Sequence, residues 1–156
     1  MTTEVLAITG HEPITKDEAK DWIKVSPYNK DNDIILNVLI PAVRSYFERH
    51  LDTSLIEKRI RVVVEDAEAN FRLPQWPIDS IELIEPTTLT EENGRLDNVK
   101  GTNIGVTYTT GEYVKPEIKT AMLNLLSHWY VNRDMATVPE SVDRVIKANT
   151  RILWFV

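Results

Sequence analysis

The side-chain types that most often carry catalysis or hold metals are sparse in this chain, and their spacing fits neither task. Cysteine is absent, which removes thiol nucleophiles, thiolate metal sites and disulfides and suits a reducing cytoplasm. The three histidines, His11, His50 and His128, lack the four-residue pairing that sets two imidazoles around zinc on one helix face. Asp31, Asn32 and Asp33 resemble the start of a calcium loop, but Ile35 stands at its fifth position and the glycine that turns such a loop is missing. Capping the helix that follows is the better account of these three residues. The five glycines build neither a phosphate-cradling loop nor a Gly-x-Ser-x-Gly elbow. Carboxylates among the 24 acidic residues could meet in space, yet most such residues solvate a surface. The expectation is a chain with no catalytic residue, no cofactor and no metal.

Three other groups of residues could make contacts. Lys58, Arg59 and Arg61 form the one basic cluster; without interleaved aromatics it reads as the exposed face of a strand before it reads as a nucleic-acid or acidic-partner contact. Tyr108, Tyr113 and Trp76 could form an aromatic surface on a sheet, although strand aromatics more often pack half-buried. The last six residues, Arg151, Ile152, Leu153, Trp154, Phe155 and Val156, are unusually apolar; they either fold back on the chain's own core or anchor it to another subunit. A net charge of -6 opposes tight binding to a phosphate backbone, while leaving a surface past which DNA could move without sticking.

Stepping from contacts to the elements that must carry them, 156 residues suit one domain with a core of its own. At 42% hydrophobic and 27% charged, the composition is that of a folded globular chain. No apolar run approaches the roughly 18 residues of a membrane span, and residues 1–10 have no basic region before their apolar stretch, so neither membrane insertion nor a signal peptide is expected. Thr15 and Glu18 have capping-box spacing, which makes Thr15 the start of the first ordered element, a helix over 16–25. Asp31 or Asn32 caps a second helix over 32–51, whose wide apolar stripe is interrupted by Pro41, the place for a kink. From Ser54 the period changes to two, with strands at 56–64, 71–73, 80–84, 94–99 and 104–110. Pro116 opens a strongly amphipathic helix over 116–133, and Pro139 opens a last one over 139–148. The reading is α+β: a small helical domain whose long helices, 32–51 and 116–133, flank an antiparallel β insertion over 54–112.

This order of elements resembles the head-to-tail connector (adaptor) proteins of tailed bacteriophages. The resemblance lies in ITKDEAKDWIKV at 14–25 and DNDIILNVLIPAVRSYFE at 31–48, in LPQWPIDSIELI at 73–84, and in VTYTTG at 106–111 followed by PEIKTAMLNLLSHWYVNR at 116–133. Together these cover most of the chain in the family's order, with Pro41 and the apolar ending as departures. The resemblance implies a virion protein without catalytic activity. It implies a ring, often dodecameric, docked under the portal protein, with genomic DNA passing through its lumen and a downstream neck or tail protein below. Its place is the virion neck, after assembly in the host cytoplasm. Pro116, His128, Trp129, Tyr130 and Arg133 match the family's helix motif and are implied to be core and subunit-packing groups. Residues 151–156 are expected to insert, through Trp154 and Phe155, into the portal or a neighbouring subunit.

Overall fold

The computed structural model describes residues 1–67, 71–85, 91–92, 95–96 and 101–150; for 66, 67, 71, 91, 92, 95, 96, 101 and 102 it describes the backbone alone. The chain divides into two compact units: residues 1–11 with 53–113, and residues 12–52 with 114–156. The first is all β and the second is helical among the described residues, so the α+β expectation holds.

In the β unit, β1 (Thr2–Ile8), β2 (Lys58–Ala67), β4 (Ile78–Glu85) and β7 (Gly101–Thr110) form an antiparallel sheet in the order β1-β2-β7-β4. Three two-residue strands, β3 (Phe71–Arg72), β5 (Glu91–Glu92) and β6 (Arg95–Leu96), form a second sheet in the order β3-β6-β5. The alternation in β2 does what a period of two predicts. Ile60, Val62 and Val64 are buried with Ile104, Val106, Tyr108 and Leu73, while Arg59 and Arg61 face out. The sequence places the first ordered element at Thr15, and β1 corrects this. All seven of its residues are exposed, so it adds no side chain to the core and shows no alternation. Its existence rests on backbone pairing with β2, from Thr2 opposite Val63 to Ile8 opposite Lys58. Gly10 continues the association, donating its N–H to the Glu57 carbonyl at 3.0 Å; a Cβ there would run into the Glu57 backbone nitrogen.

In the helical unit, α1 (Lys16–Ile23), α2 (Asp33–Leu51), α3 (Pro116–Asn132) and α4 (Glu140–Asn149) follow the predicted helices to within a residue or two. Thr15 caps α1 with the expected box: the Glu18 N–H donates to Thr15 Oγ1 at 3.2 Å and the Thr15 N–H donates to Glu18 Oε2 at 2.9 Å. Pro41 sits inside an unbroken α2. Asn32 occupies the N-cap position of α2, yet its side chain makes no cap bond, because it accepts the Tyr130 hydroxyl instead. Pro139 is the N-cap of α4, one position earlier than expected. Leu36, Val43 and Phe47 of α2, Met122, Leu125 and Leu126 of α3 and Val142 of α4 are wholly buried.

Candidate assembly surface

The motif residues of α3 take different tasks. Pro116 stands at the start of the helix, where its missing N–H costs nothing. His128 and Trp129 hold the segment that follows the helix: His128 Nε2 lies 2.9 Å from Thr137 Oγ1, and the Trp129 indole N–H donates to the Thr137 carbonyl at 2.9 Å. The Trp129 ring is buried edge-on against Tyr46, with centroids 5.7 Å apart. Tyr130 reaches α2 through its 2.7 Å bond to Asn32 Oδ1. Arg133 ends the helix in the left-handed conformation (φ 51°), its backbone N–H donating to the Trp129 carbonyl at 2.9 Å.

Between α2 and α3 lies a groove of about 520 Å³. Asn32, Ile35 and Leu39 line it from α2, and Trp129, Tyr130 and Val131 from α3. Arg133 and Met135 complete the lining, so among the described residues Arg133 alone contributes a charge, and no carboxylate or imidazole faces the space. With the Tyr130 hydroxyl already donating to Asn32, that composition suits the docking of an apolar group better than proton transfer. Much of the apolar lining faces outward: Ile35 is 42% exposed, Met135 50% and Val131 70%. One step around α2, Ile34 (75%) and Val38 (62%) extend the apolar surface. A contiguous exposed patch of this kind marks an interaction surface more often than a free one. Trp129, Tyr130 and Arg133 were legible from their motif, and Leu39 is buried as its stripe predicts; Ile35 looked like core, because periodicity shows how wide a stripe is and not how much of it is covered. Val131 and Met135 carry no sequence signal.

The basic cluster of the β unit is spent on internal pairs. Arg59 meets Glu82 at 2.6 Å and Arg61 meets Glu85 at 3.1 Å, each reaching from β2 across to β4. The hydrogen bond from Arg59 is the main reason the Glu82 carboxyl lies below its ordinary range, and Thr109 Oγ1 adds a 3.1 Å bond to the same group. Lys58 is buried, its ammonium 3.2 Å from Gln75 Oε1. The three aromatics do not form one surface either. Tyr108 is buried with its hydroxyl donating to the Pro74 carbonyl at 2.7 Å, while Trp76 and Tyr113 pack edge-to-face at 5.1 Å. Among the described residues no three His, Asp or Glu side chains are placed to hold a metal ion, and no helix is long and apolar enough to cross a membrane. Arg151, Ile152, Leu153, Trp154, Phe155 and Val156 lie outside the described residues.

The order of elements, with the sheet's later strands set between two pairs of helices, defines a fold class that recurs in chains of virus-like particles. A chain from the neck of the empty GTA particle, computed with C6 symmetry, matches with a TM-score of 0.72 at 15% identity, covering 99% of both chains. A chain from the virion of the native gene transfer agent (GTA) particle matches at 0.69 with 15% identity, and one from the neck of the native particle, computed with C12 symmetry, at 0.67 with 16%, each again covering 99% of both chains. At such identities the likeness is one of fold. No protein-family model and no curated protein matches the sequence.

Proposed function

We propose that this chain is a structural, non-enzymatic protein of a virion neck: a head-to-tail connector whose copies form a ring, twelve in number, beneath the portal protein. The observation that carries this reading is the agreement of fold over 99% of both chains with chains of neck particles, two of them with C6 and C12 symmetry. A ring subunit needs heterologous faces for its neighbours rather than a deep reactive cleft. The groove, mostly apolar and without a carboxylate or imidazole among its described lining residues, supports the reading as a surface suited to such a contact. In this reading residues 1–156 act as one connector subunit, genomic DNA passes through the lumen without sequence-specific contact, and a downstream neck or tail protein binds the ring's far side. Residues 151–156 supply an attachment segment, through Trp154 and Phe155, to the portal or to a neighbouring subunit.

Electron microscopy of the purified chain mixed with portal protein tests the reading. The expected result is a ring of added density capping the portal's outer end, together with a mass in solution that rises by a fixed number of subunits per portal. A mixture in which portal and chain remain separate overturns it.

A further inference from the structure

We infer that the free edge of β1 pairs antiparallel with the free edge of β4 in a second copy of this chain, so that the four-stranded sheet runs on from copy to copy. The inference rests on the connector reading for its outcome, a closed ring.

Among the described strands nothing pairs with the far side of β1 or of β4, the two ends of the order β1-β2-β7-β4. An open edge is a row of unpaired N–H and C=O groups, a template for another strand unless something blunts it. Neither strand holds a proline or a lysine, two residues that commonly do so. Of the acidic groups of β4, Glu82 and Glu85 are turned away from the edge, reaching inward across β7 to Arg59 and Arg61 of β2.

The two edges also match each other. Three antiparallel pairings separate β1 from β4, so the two strands run in opposite directions. A copy rotated about an axis along the strands therefore sets its β1 against β4 in the antiparallel sense. Ladder partners traced across the sheet form continuous rows. Val5, Ile60, Tyr108 and Ile81 make one on the core face, and Ala7, Arg59, Thr109 and Ser80 make the next on the outer face. The rows that begin at Thr2, Thr3, Glu4 and Ile8 end at Glu85, Ile84, Leu83 and Ile78. Register shifts, one in β1 and two in β4, bring the strands into this correspondence.

A second sheet set beside the first with no slip along the strands thus keeps core face with core face. The neighbour's Val5, 45% exposed in the single copy, meets Ile81, and its Ile8, 56% exposed, meets Ile78; both isoleucines are only partly buried. Glu4 meets Leu83 and Thr2 meets Glu85, so no like charges are opposed. Because the two edges differ, the contact is heterologous, as a ring requires, whereas β1 paired with its own copy across a two-fold axis ends at a dimer. A contact that repeats without slip is one that can close, while a slide at every step builds a filament. Within one copy the edges cannot meet, because three strand spacings of about 4.8 Å hold them about 14 Å apart.

The chain has no cysteine, so introduced thiols report the contact directly. Ala7→Cys and Ser80→Cys, both at exposed positions of one outer-face row, are made singly and together, then oxidised at high concentration alone and with portal. A disulfide needs Cα atoms within about 7 Å, so a link between positions 7 and 80 joins two copies. The expected result on a non-reducing gel is a covalent ladder from the double variant and a single dimer band from an equal mixture of the two single variants. Each single variant alone stays monomeric, and thermal unfolding is unchanged in all three. Dimers from Ala7→Cys alone, or no link between positions 7 and 80 in either condition, overturn the inference. The two proposals fail separately. A ring on the portal without this link removes the edge contact and leaves the connector; the link without a ring on the portal does the reverse.

Discussion

Arg44 shows how much of the helical unit rests on single side chains. Its guanidinium lies 2.9 Å from Glu12 and 2.8 Å from Glu48, and both Arg44 and Glu48 are almost wholly buried. A planar fork can serve two carboxylates at once, whereas a lysine ammonium on a flexible stem cannot hold both in the same geometry. Arg44→Met therefore leaves a buried carboxylate without its main counter-charge, and urea denaturation should show a loss of about 3 kcal/mol, with Arg44→Lys recovering only part of it. An unchanged midpoint for Arg44→Met would mean that the triad contributes nothing. Tyr130→Phe is a milder test: Asn32 Oδ1 loses its 2.7 Å phenol donor at the groove edge, and the same titration should register about 1 kcal/mol. Only the Arg44–Glu48 spacing, four residues apart on a predicted helix, was legible in the sequence; the other two contacts were not. Arg44 sits 32 residues from Glu12, and Tyr130 sits 98 from Asn32.

At the level of elements, α1 is tied to its neighbours by charge. Glu18 Oε1 meets the Lys119 ammonium of α3 at 2.6 Å while its other oxygen closes the capping box, and Lys20 meets Asp33 at the start of α2 at 2.6 Å. Hydrogen bonding from Lys119 chiefly, with help from Thr15, holds the Glu18 carboxyl below its ordinary 4.5. Lys20 chiefly holds Asp33 below its ordinary 3.8. A carboxyl depressed in the folded state adds stability that is fully present above its unfolded pKa and disappears as pH falls through the folded one. The thermal midpoint should accordingly be flat near neutrality and decline as pH drops below about 4.5, and Lys119→Met should shallow that decline. A variant whose acid limb superimposes on the parent's would show that the pair is screened by water. The same elements mark what sequence reasoning reaches. Capping residues, prolines and strong amphipathic periods located the four helices seen among the described residues, because those signals are local. β1 escaped because an edge strand exposed at every position has no alternation to detect, and Asn32 misled because a long-range phenol competed for the oxygen a cap would use.

For the whole molecule, the connector proposal raises the question of how a chain rich in basic side chains can meet DNA without gripping it. Net charge is -6, yet the chain carries 18 lysines and arginines, and a local cluster such as Arg59 with Arg61 could bind phosphate whatever the total. The sheet prevents this by placing Glu82 and Glu85 of β4 against those two guanidiniums, so the cluster's charge is cancelled at contact range. Both pairs are substantially exposed, so their contribution to stability is small; on this argument their larger effect is on what the surface attracts. Replacing both carboxylates, Glu82→Gln with Glu85→Gln, removes two negative charges and leaves the arginines free to meet phosphates, with little change in fold. The parent chain should show no retention of duplex DNA at about 0.15 M salt, where surface attraction is screened beyond about 8 Å. The double variant should gain weak binding whose logarithm falls with the logarithm of salt at a slope of about -2, the release expected from two phosphate contacts. Anisotropy titrations of a labelled duplex at several salt concentrations measure both. Equal affinity of parent and variant would show that the carboxylates do not shield the arginines.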